Sequence, residues 1–364
     1  MPTSTRAAVL RQRGQPYSIE TVELADPGPG QVLVKLAACG ICFTDVGVQR
    51  YEQGTPLPQV LGHEGAGTVL AVGEGVTTVA AGDRVVLSYA SCGACPSCSH
   101  DHPQYCANFM ALNYAGVLPD GRVPMSQNGA PIYGGFFGQS SFADHAIAYA
   151  RNTVKLADDV SFALAAPFGC GLQTGAGTAY NTLNVQADQA FAVMGAGSVG
   201  LAALLAAVDR GCHTIIAVDR VAERLELARK LGATHMILAD GRDLMLALRE
   251  VVATGIDRIV DTTGASPVIR AGLEARRALQ SRPAGDGISV GRDQRGRGRH
   301  GQRQGGEAGA RDGLSYLPVN CAGRFCRKAL TPSTKSADRP ALSWLRRSTI
   351  RPSESDTSRQ SRMP

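Results

Sequence analysis

The sequence predicts an α/β protein in two folded parts: a β-rich, barrel-like domain over residues 1–155 and a doubly wound parallel sheet over 156–275. A basic tail over 276–364 follows. Three observations carry this reading. Up to about residue 155 the apolar runs are short, β-branched or alternating, and Gly, Pro and Asp turns separate them. From about residue 160 strand-like and helix-like segments alternate. Beyond residue 280 neither period persists, and Arg, Ser, Gly and Pro dominate a composition that resembles disordered chain.

In chain order, "AAVLRQ", "QVLVKLAACG", "GAGTVLAVG" and "DRVVLSYA" read as strands of the first part. "SFALAAPFGCGLQTGAGTAY" has helical spacing. "AFAVM" is then an apolar strand, with a small-residue helix over 198–208 behind it. "TIIAVD" is the next strand, and "AERLELARKL" is an amphipathic helix with Gly232 as its stop. "HMILAD", "RDLMLALREVVAT" and "DRIVDTTG" continue as strand, helix and strand. "SPVIRAGLEARRAL" supplies one more helix, and "GISVG" is a fragment of the strand that should come next.

Charge divides the chain at the same place. Residues 1–273 hold 18 Lys and Arg against 23 Asp and Glu, whereas residues 274–364 hold 19 against 8. The whole-chain net charge of +6 therefore describes neither part. No apolar run is long enough to span a bilayer. The opening "MPTSTRAAVLRQRG" lacks the apolar core of a secretory signal, so a cytoplasmic location is expected.

Of the 10 cysteines, four crowd into "CGACPSCSHDHPQYC" as Cys92, Cys95, Cys98 and Cys106. Soft thiolates in a closed set of four suit tetrahedral zinc with a structural role. Interleaved Pro, Gly, Ser and Asp argue against four separate core cysteines. His100 and His102 lie inside the loop as rival ligands. Cys321 and Cys326 have no further ligand type near them and give no metal reading.

"GAGSVG" follows a strand and opens a helix, which makes Gly195, Gly197, Ser198, Val199 and Gly200 a dinucleotide fingerprint. Its first Gly makes the turn, its second admits the pyrophosphate, and its third lets helix and strand approach closely. The helix N-terminus attracts the phosphate charge. Asp219 ends the following strand, where a carboxylate can accept from the ribose hydroxyls and repel a 2′-phosphate. NAD is thus expected over NADP, a preference that nearby Arg220 and Arg224 moderate.

Cys42 in "GICFTD", His63 in "LGHEGAG" and Cys170 in "FGCGLQTG" are each ambiguous alone. Taken with the cysteine loop and the fingerprint, they make residues 6–273 resemble the zinc-dependent medium-chain alcohol dehydrogenases. The aryl-alcohol (benzyl alcohol) dehydrogenase branch is the most similar, through "FFGQSSFADHA", "ERLELARKLGATH" and "GCGLQTGAG". The resemblance implies a GroES-like catalytic domain and a Rossmann domain. It also implies two zinc ions per chain, NAD, and a small alcohol or aldehyde as substrate. Cys42, His63 and Cys170 match the ligands of the catalytic zinc. Glu64 matches a carboxylate close to the metal, Asp45 an acid orienting the imidazole, and Thr44 the hydroxyl that takes the substrate proton.

Two positions depart from the family. Phe43 stands where a basic residue often meets the pyrophosphate, and Gly47 where some members carry a relay His. Phe109, Met110, Phe136 and Phe137 are candidates for lining an apolar pocket.

The family's fifth and sixth strands and its subunit contact should follow residue 273, so the homo-oligomer that it implies lacks its contact region here. Near residues 274–277 an Arg-rich composition takes over, and we read the break as a shift of reading frame. The rival is a real basic extension that binds nucleic acid, but aromatics are sparse there and the tail replaces part of the enzyme instead of following it. The expected reaction is the zinc-dependent oxidation of a primary aromatic or allylic alcohol to its aldehyde with NAD as hydride acceptor; the alternative is an inactive zinc-binding remnant of such an enzyme. Neither a membrane nor a nucleic acid is an expected partner.

Overall fold

The computed structural model describes residues 2–51 and 54–280, which fall into two compact units divided between Gln173 and Thr174. The tail reading, "GISVG", Cys321 and Cys326 lie outside the described residues.

The first unit is built on two five-stranded antiparallel sheets. Its strands are β1 (Thr3–Leu10), β2 (Ser18–Leu24), β3 (Gln31–Cys39), β4 (Gln59–Val60) and β5 (Gly65–Val72). They continue as β6 (Arg84–Leu87), β7 (Met125–Gln127), β8 (Ala130–Ile132), β9 (His145–Tyr149) and β10 (Thr153–Lys155). One sheet runs β4-β1-β2-β7-β8 and the other β10-β6-β5-β3-β9. Alternation sets the inner face: Val22 and Leu24 of β2 join Ala7 and Val9 of β1 in one core cluster. Val32 and Val34 pack with Val69, Val85 and Leu87 in another. Short helices lie between the strands: α1 (Phe43–Arg50), α2 (Pro96–Ser99), α3 (Phe109–Tyr114) and α4 (Phe162–Ala165). Helix α5 (Gly171–Gly177) begins at the end of this unit.

The second unit is a parallel sheet of β11 (Ala190–Met194), β12 (Thr214–Asp219), β13 (His235–Leu238) and β14 (Arg258–Asp261), in the order β13-β12-β11-β14. Helices α6 (Ser198–Asp209), α7 (Ala222–Lys230), α8 (Leu244–Val251) and α9 (Ser266–Gln280) alternate with the strands. Every residue of β11 is buried, as expected for a strand covered on both faces. Ala190, Ala192 and Met194 point to one side, where Ala247 and Leu248 of α8 and Ala275 of α9 pack. Val193 points to the other, where the start of α6 lies so close that a Cβ on Gly200 would sit 2.8 Å from it. Gly232 ends α7 with φ 112°, as its position in the sequence predicts.

The strand order is the first four positions of the dinucleotide-binding arrangement 3-2-1-4-5-6. Among the described residues β14 pairs only with β11. No described helix is long and apolar enough to cross a membrane.

Candidate active site

Two groups of metal-ligating side chains converge among the described residues, one of Cys42, His63, Glu64 and Cys170 and one of Cys92, Cys95, Cys98 and Cys106. Within each, one ligand atom per residue lies within 4.8 Å of all the others. Residues up to 128 positions apart meet in the first group, although only His63 and Glu64 are contiguous in sequence.

Local structure explains the convergence. Cys42 caps α1, and its backbone N–H donates to Asp45 Oδ2 at 3.0 Å. Oδ1 of the same carboxylate accepts from the Gly62 N–H at 3.1 Å and lies 2.9 Å from His63 Nδ1. Asp45 therefore ties the helix start to the segment that carries the imidazole. Gly62 must be glycine, since it has φ 90° and a Cβ there would meet the Phe142 backbone. Cys170 lies in a break between helical turns, with φ −143° and ψ −84°. That break turns its sulfur to 4.0 Å from Cys42 Sγ. Glu64 Oε1 accepts from the Gly171 N–H at 3.2 Å, and Gly40 leaves the room that the carboxylate occupies. Thr44 Oγ1 is 3.7 Å from Cys42 Sγ.

The electrostatics of the first group call for a cation. With Nδ1 committed to Asp45, His63 Nε2 is buried and has no hydrogen-bond partner. Burial by itself pulls the imidazole pKa down, yet Asp45 and the neighbouring Cys42 push it up to about 10. Cys42 and Cys170 share one S–H···S contact at 4.0 Å, which holds the Cys42 thiol down while the same contact and burial push Cys170 up. Burial, then the charge at Cys42, raises Glu64 to about 7. Two sulfurs, one imidazole nitrogen with a carboxylate behind it and a nearby carboxyl are a donor set that suits zinc.

The second group is a loop of N–H···S contacts. Cys92 Sγ accepts from the Cys95 N–H at 3.3 Å and the Ala94 N–H at 3.5 Å. Cys106 Sγ accepts from the Cys92 N–H at 3.3 Å, and Cys95 Sγ from the Ala107 N–H at 3.5 Å. Such donors stabilise thiolates. His100 instead contacts the Pro96 carbonyl through Nδ1 at 2.7 Å, and His102 lies against Gln104, so the four-sulfur set is the one that assembles.

The candidate pocket aromatics separate into distinct roles. Phe137 stacks on the His63 ring, with centroids 4.5 Å apart and planes at 29°. Phe109 and Tyr114 meet Phe137 edge-on, and Tyr89 tilts against Phe109. Phe136 is fully buried in a core cluster with Leu10, Val48 and Leu61 and meets the His63 ring edge-on at 5.7 Å, and Met110 is exposed. Phe43 is also exposed.

In the second unit the glycine loop has the form that its spacing predicts. At Gly195, with φ 99°, a Cβ would collide with Thr262, and at Gly200 with the Gly195 carbonyl. A Cβ at Gly197 would meet nothing within 4 Å, which leaves the backbone open to a bulky anion ahead of Ser198, Val199 and the rest of α6. Asp219 Oδ2 accepts from the Ala196 N–H at 2.7 Å and Oδ1 from the Val221 N–H at 2.9 Å. Arg224 lies 3.7 Å from that carboxylate, whereas Arg220 is exposed. The loop and carboxylate thus fit a dinucleotide. Thr262, which sequence reasoning missed, donates to the Gly195 carbonyl at 3.0 Å. Its place just past the end of a parallel strand was the available signal.

Comparison with known proteins agrees with this geometry. Residues 28–158 match the family described as alcohol dehydrogenase GroES-like domain, and residues 198–284 match zinc-binding dehydrogenase. The chain is 45% identical over 269 residues to the geraniol dehydrogenase of Castellaniella defragrans, covering 73% of this chain and 72% of that one. The crystal structure of an alcohol dehydrogenase zinc-binding domain protein from Burkholderia ambifaria is 45% identical with a TM-score of 0.73, covering 76% and 75%. Benzyl alcohol dehydrogenase from Acinetobacter calcoaceticus is 41% identical with a TM-score of 0.72, covering 75% and 74%.

Proposed function

This chain belongs to the zinc-dependent medium-chain alcohol dehydrogenases, and on that premise we propose that its substrate is a primary aromatic or allylic alcohol, oxidised to the aldehyde. The observation that carries the substrate class is the Phe137 ring stacked on His63 and walled by Phe109 and Tyr114. A flat apolar wall beside the ligand atoms favours a flat, unsaturated carbinol over a short aliphatic one. The relatives named for geraniol and benzyl alcohol support the same class.

Cys42, His63 and Cys170 would hold the catalytic ion, and Cys92, Cys95, Cys98 and Cys106 the structural one. Bound there, zinc would supply Lewis acidity, and NAD, held by the Gly195–Gly200 loop and Asp219, would supply the hydride acceptor. Asp45 fixes the tautomer that leaves Nε2 of His63 as the ligand atom. Thr44, beside Cys42, would accept the alcohol proton at its hydroxyl and release its own proton to water, since Gly47 offers no relay group. Glu64, in the same ligand group, adds a carboxylate that can approach the ion. Asp219 receives the ribose hydroxyls, and its charge disfavours a 2′-phosphate. NADH formation by the purified full chain tests the reading. Benzyl alcohol and geraniol should exceed ethanol in kcat/KM, and equal rates would reject the aromatic or allylic assignment.

A second reading is an inactive zinc-binding remnant, which the Arg-rich composition beyond residue 273 favours. Two zinc ions per chain without NADH formation from any alcohol would favour it.

A further inference from the structure

The loop over residues 135–141 carries four left-handed residues: Gly135 (φ 70°), Phe137 (φ 50°), Gly138 (φ 67°) and Ser140 (φ 55°). Two of them are not glycine, and a bulky Phe at positive φ is costly. Strain of this kind persists where the surroundings over-determine it, and it gathers at functional sites. The loop delivers two things to the first group of ligands. One is the Phe137 ring on His63. The other is the side-chain amide of Gln139.

Gln139 is 1% exposed and spends its full hydrogen-bonding capacity. Nε2 donates to the His63 carbonyl at 3.0 Å and to the Ser88 carbonyl at 3.3 Å. Oε1 accepts from the Gly65 N–H at 3.0 Å and from the Ser141 hydroxyl. One amide thereby grips both ends of the stretch that carries His63 and Glu64. The chain of contacts continues through Ser88. Its hydroxyl donates to the carbonyl of Gly169, the residue before Cys170, at 3.0 Å, and accepts from Gln173 Nε2 at 2.8 Å. Asn152 Nδ2 donates to the Ser88 carbonyl at 2.7 Å and holds that strand end in place.

The clearances agree with a tight bracket. A Cβ on Gly65 would lie 2.9 Å from Gln139 Oε1, and one on Gly169 would collide with the Leu87 carbonyl. Neither Gln139 nor Ser88 belongs to the converging ligand group.

We propose that Gln139 and Ser88 are positioning residues of the catalytic centre, a buried polar chain that sets the spacing between the segment bearing His63 and the turn bearing Cys170. The proposal rests on the reading that Cys42, His63 and Cys170 share an ion. Satisfied buried networks rigidify their surroundings, whereas partly satisfied ones do not. Loss of either member should therefore loosen the geometry of one metal site and leave the four-cysteine loop, to which neither side chain is bonded, untouched.

Cobalt substitution of the full chain provides the test, with the four-cysteine loop as internal control. Gln139→Met, which keeps the volume, and Ser88→Ala should each weaken the Cys42–His63–Cys170 site about 10–100-fold in chelator competition. Each should also shift that site's sulfur-to-cobalt bands, while the four-sulfur spectrum stays as in the wild type. Ser88→Thr, which restores the hydroxyl, should restore the affinity. Should Gln139→Met fail to fold, the Ser88 pair still decides the matter. Unchanged affinity and spectrum in the variants overturn the proposal, and so does an equal loss at both sites, which marks general misfolding. If the wild-type chain takes up a single cobalt, at the four-cysteine loop, the shared-ion reading itself has failed and the proposal fails with it.

Discussion

Asp45 Oδ1 lies 2.9 Å from His63 Nδ1, and both side chains are 1% exposed. The same carboxylate accepts from the backbone N–H groups of Cys42 and Gly62, so three donors share two oxygens. A carboxylate behind a ligand imidazole fixes its orientation and raises its basicity.

Asp45→Asn tests that arrangement. An amide has one acceptor oxygen, so at least one of the three donors must face an NH2 group. Metal affinity at Cys42, His63 and Cys170 should fall about 10–100-fold, as measured by competition with a chromogenic chelator.

Acid should strip the cysteine loop in a defined order. Thiols must lose their protons to bind a metal, so affinity falls as pH falls. Burial pushes Cys98 up to about 12, so zinc already displaces a proton there near neutrality. The Ala94 and Cys95 N–H groups pull Cys92 down to about 6. Below about pH 6 Cys92 also regains its proton, and the loss of affinity should steepen. Zinc release followed by dye absorbance against pH would show a slope that does not change if this is wrong.

The glycines of the fingerprint should separate in their effects. Gly197→Ala adds a methyl to open space at ordinary φ, so the free protein should melt as the wild type does while NAD binding weakens about tenfold or more. Gly200→Ala collides with the Gly195 carbonyl and should destabilise the free protein itself by about 1–3 kcal/mol. Fluorescence titration with NAD and thermal melting distinguish the two.

Leu248 of α8 is fully buried against Ile216 and Val218. Leu248→Ala should cost about 2–5 kcal/mol in denaturant unfolding. A loss below 1 kcal/mol would mean that α8 does not cover the sheet as described.

Much of this architecture was legible in the sequence, for physical reasons. The buried parallel strands announce themselves as apolar runs, and Gly195, Gly200 and Gly232 stand where no side chain fits. The cysteine loop is local, so its spacing alone reveals it. What remained illegible depends on three-dimensional approach. The short strands β7, β8 and β10 have three residues each, too few to show a period. Gln139 and Ser88 are ordinary polar residues until folding sets them against backbone groups far away in sequence. Phe136 and Phe137 are identical neighbours, and only folding, with a left-handed turn at Phe137, sets one ring edge-on to His63 and fully buried and stacks the other on it.

Among the described residues, β14 presents one side without a strand partner. A bare rail of amide and carbonyl groups at the end of a four-rung ladder accepts any extended peptide that comes alongside. Handling as well as chemistry therefore turns on whether that rail is covered, since an uncovered one grows more adhesive as concentration rises.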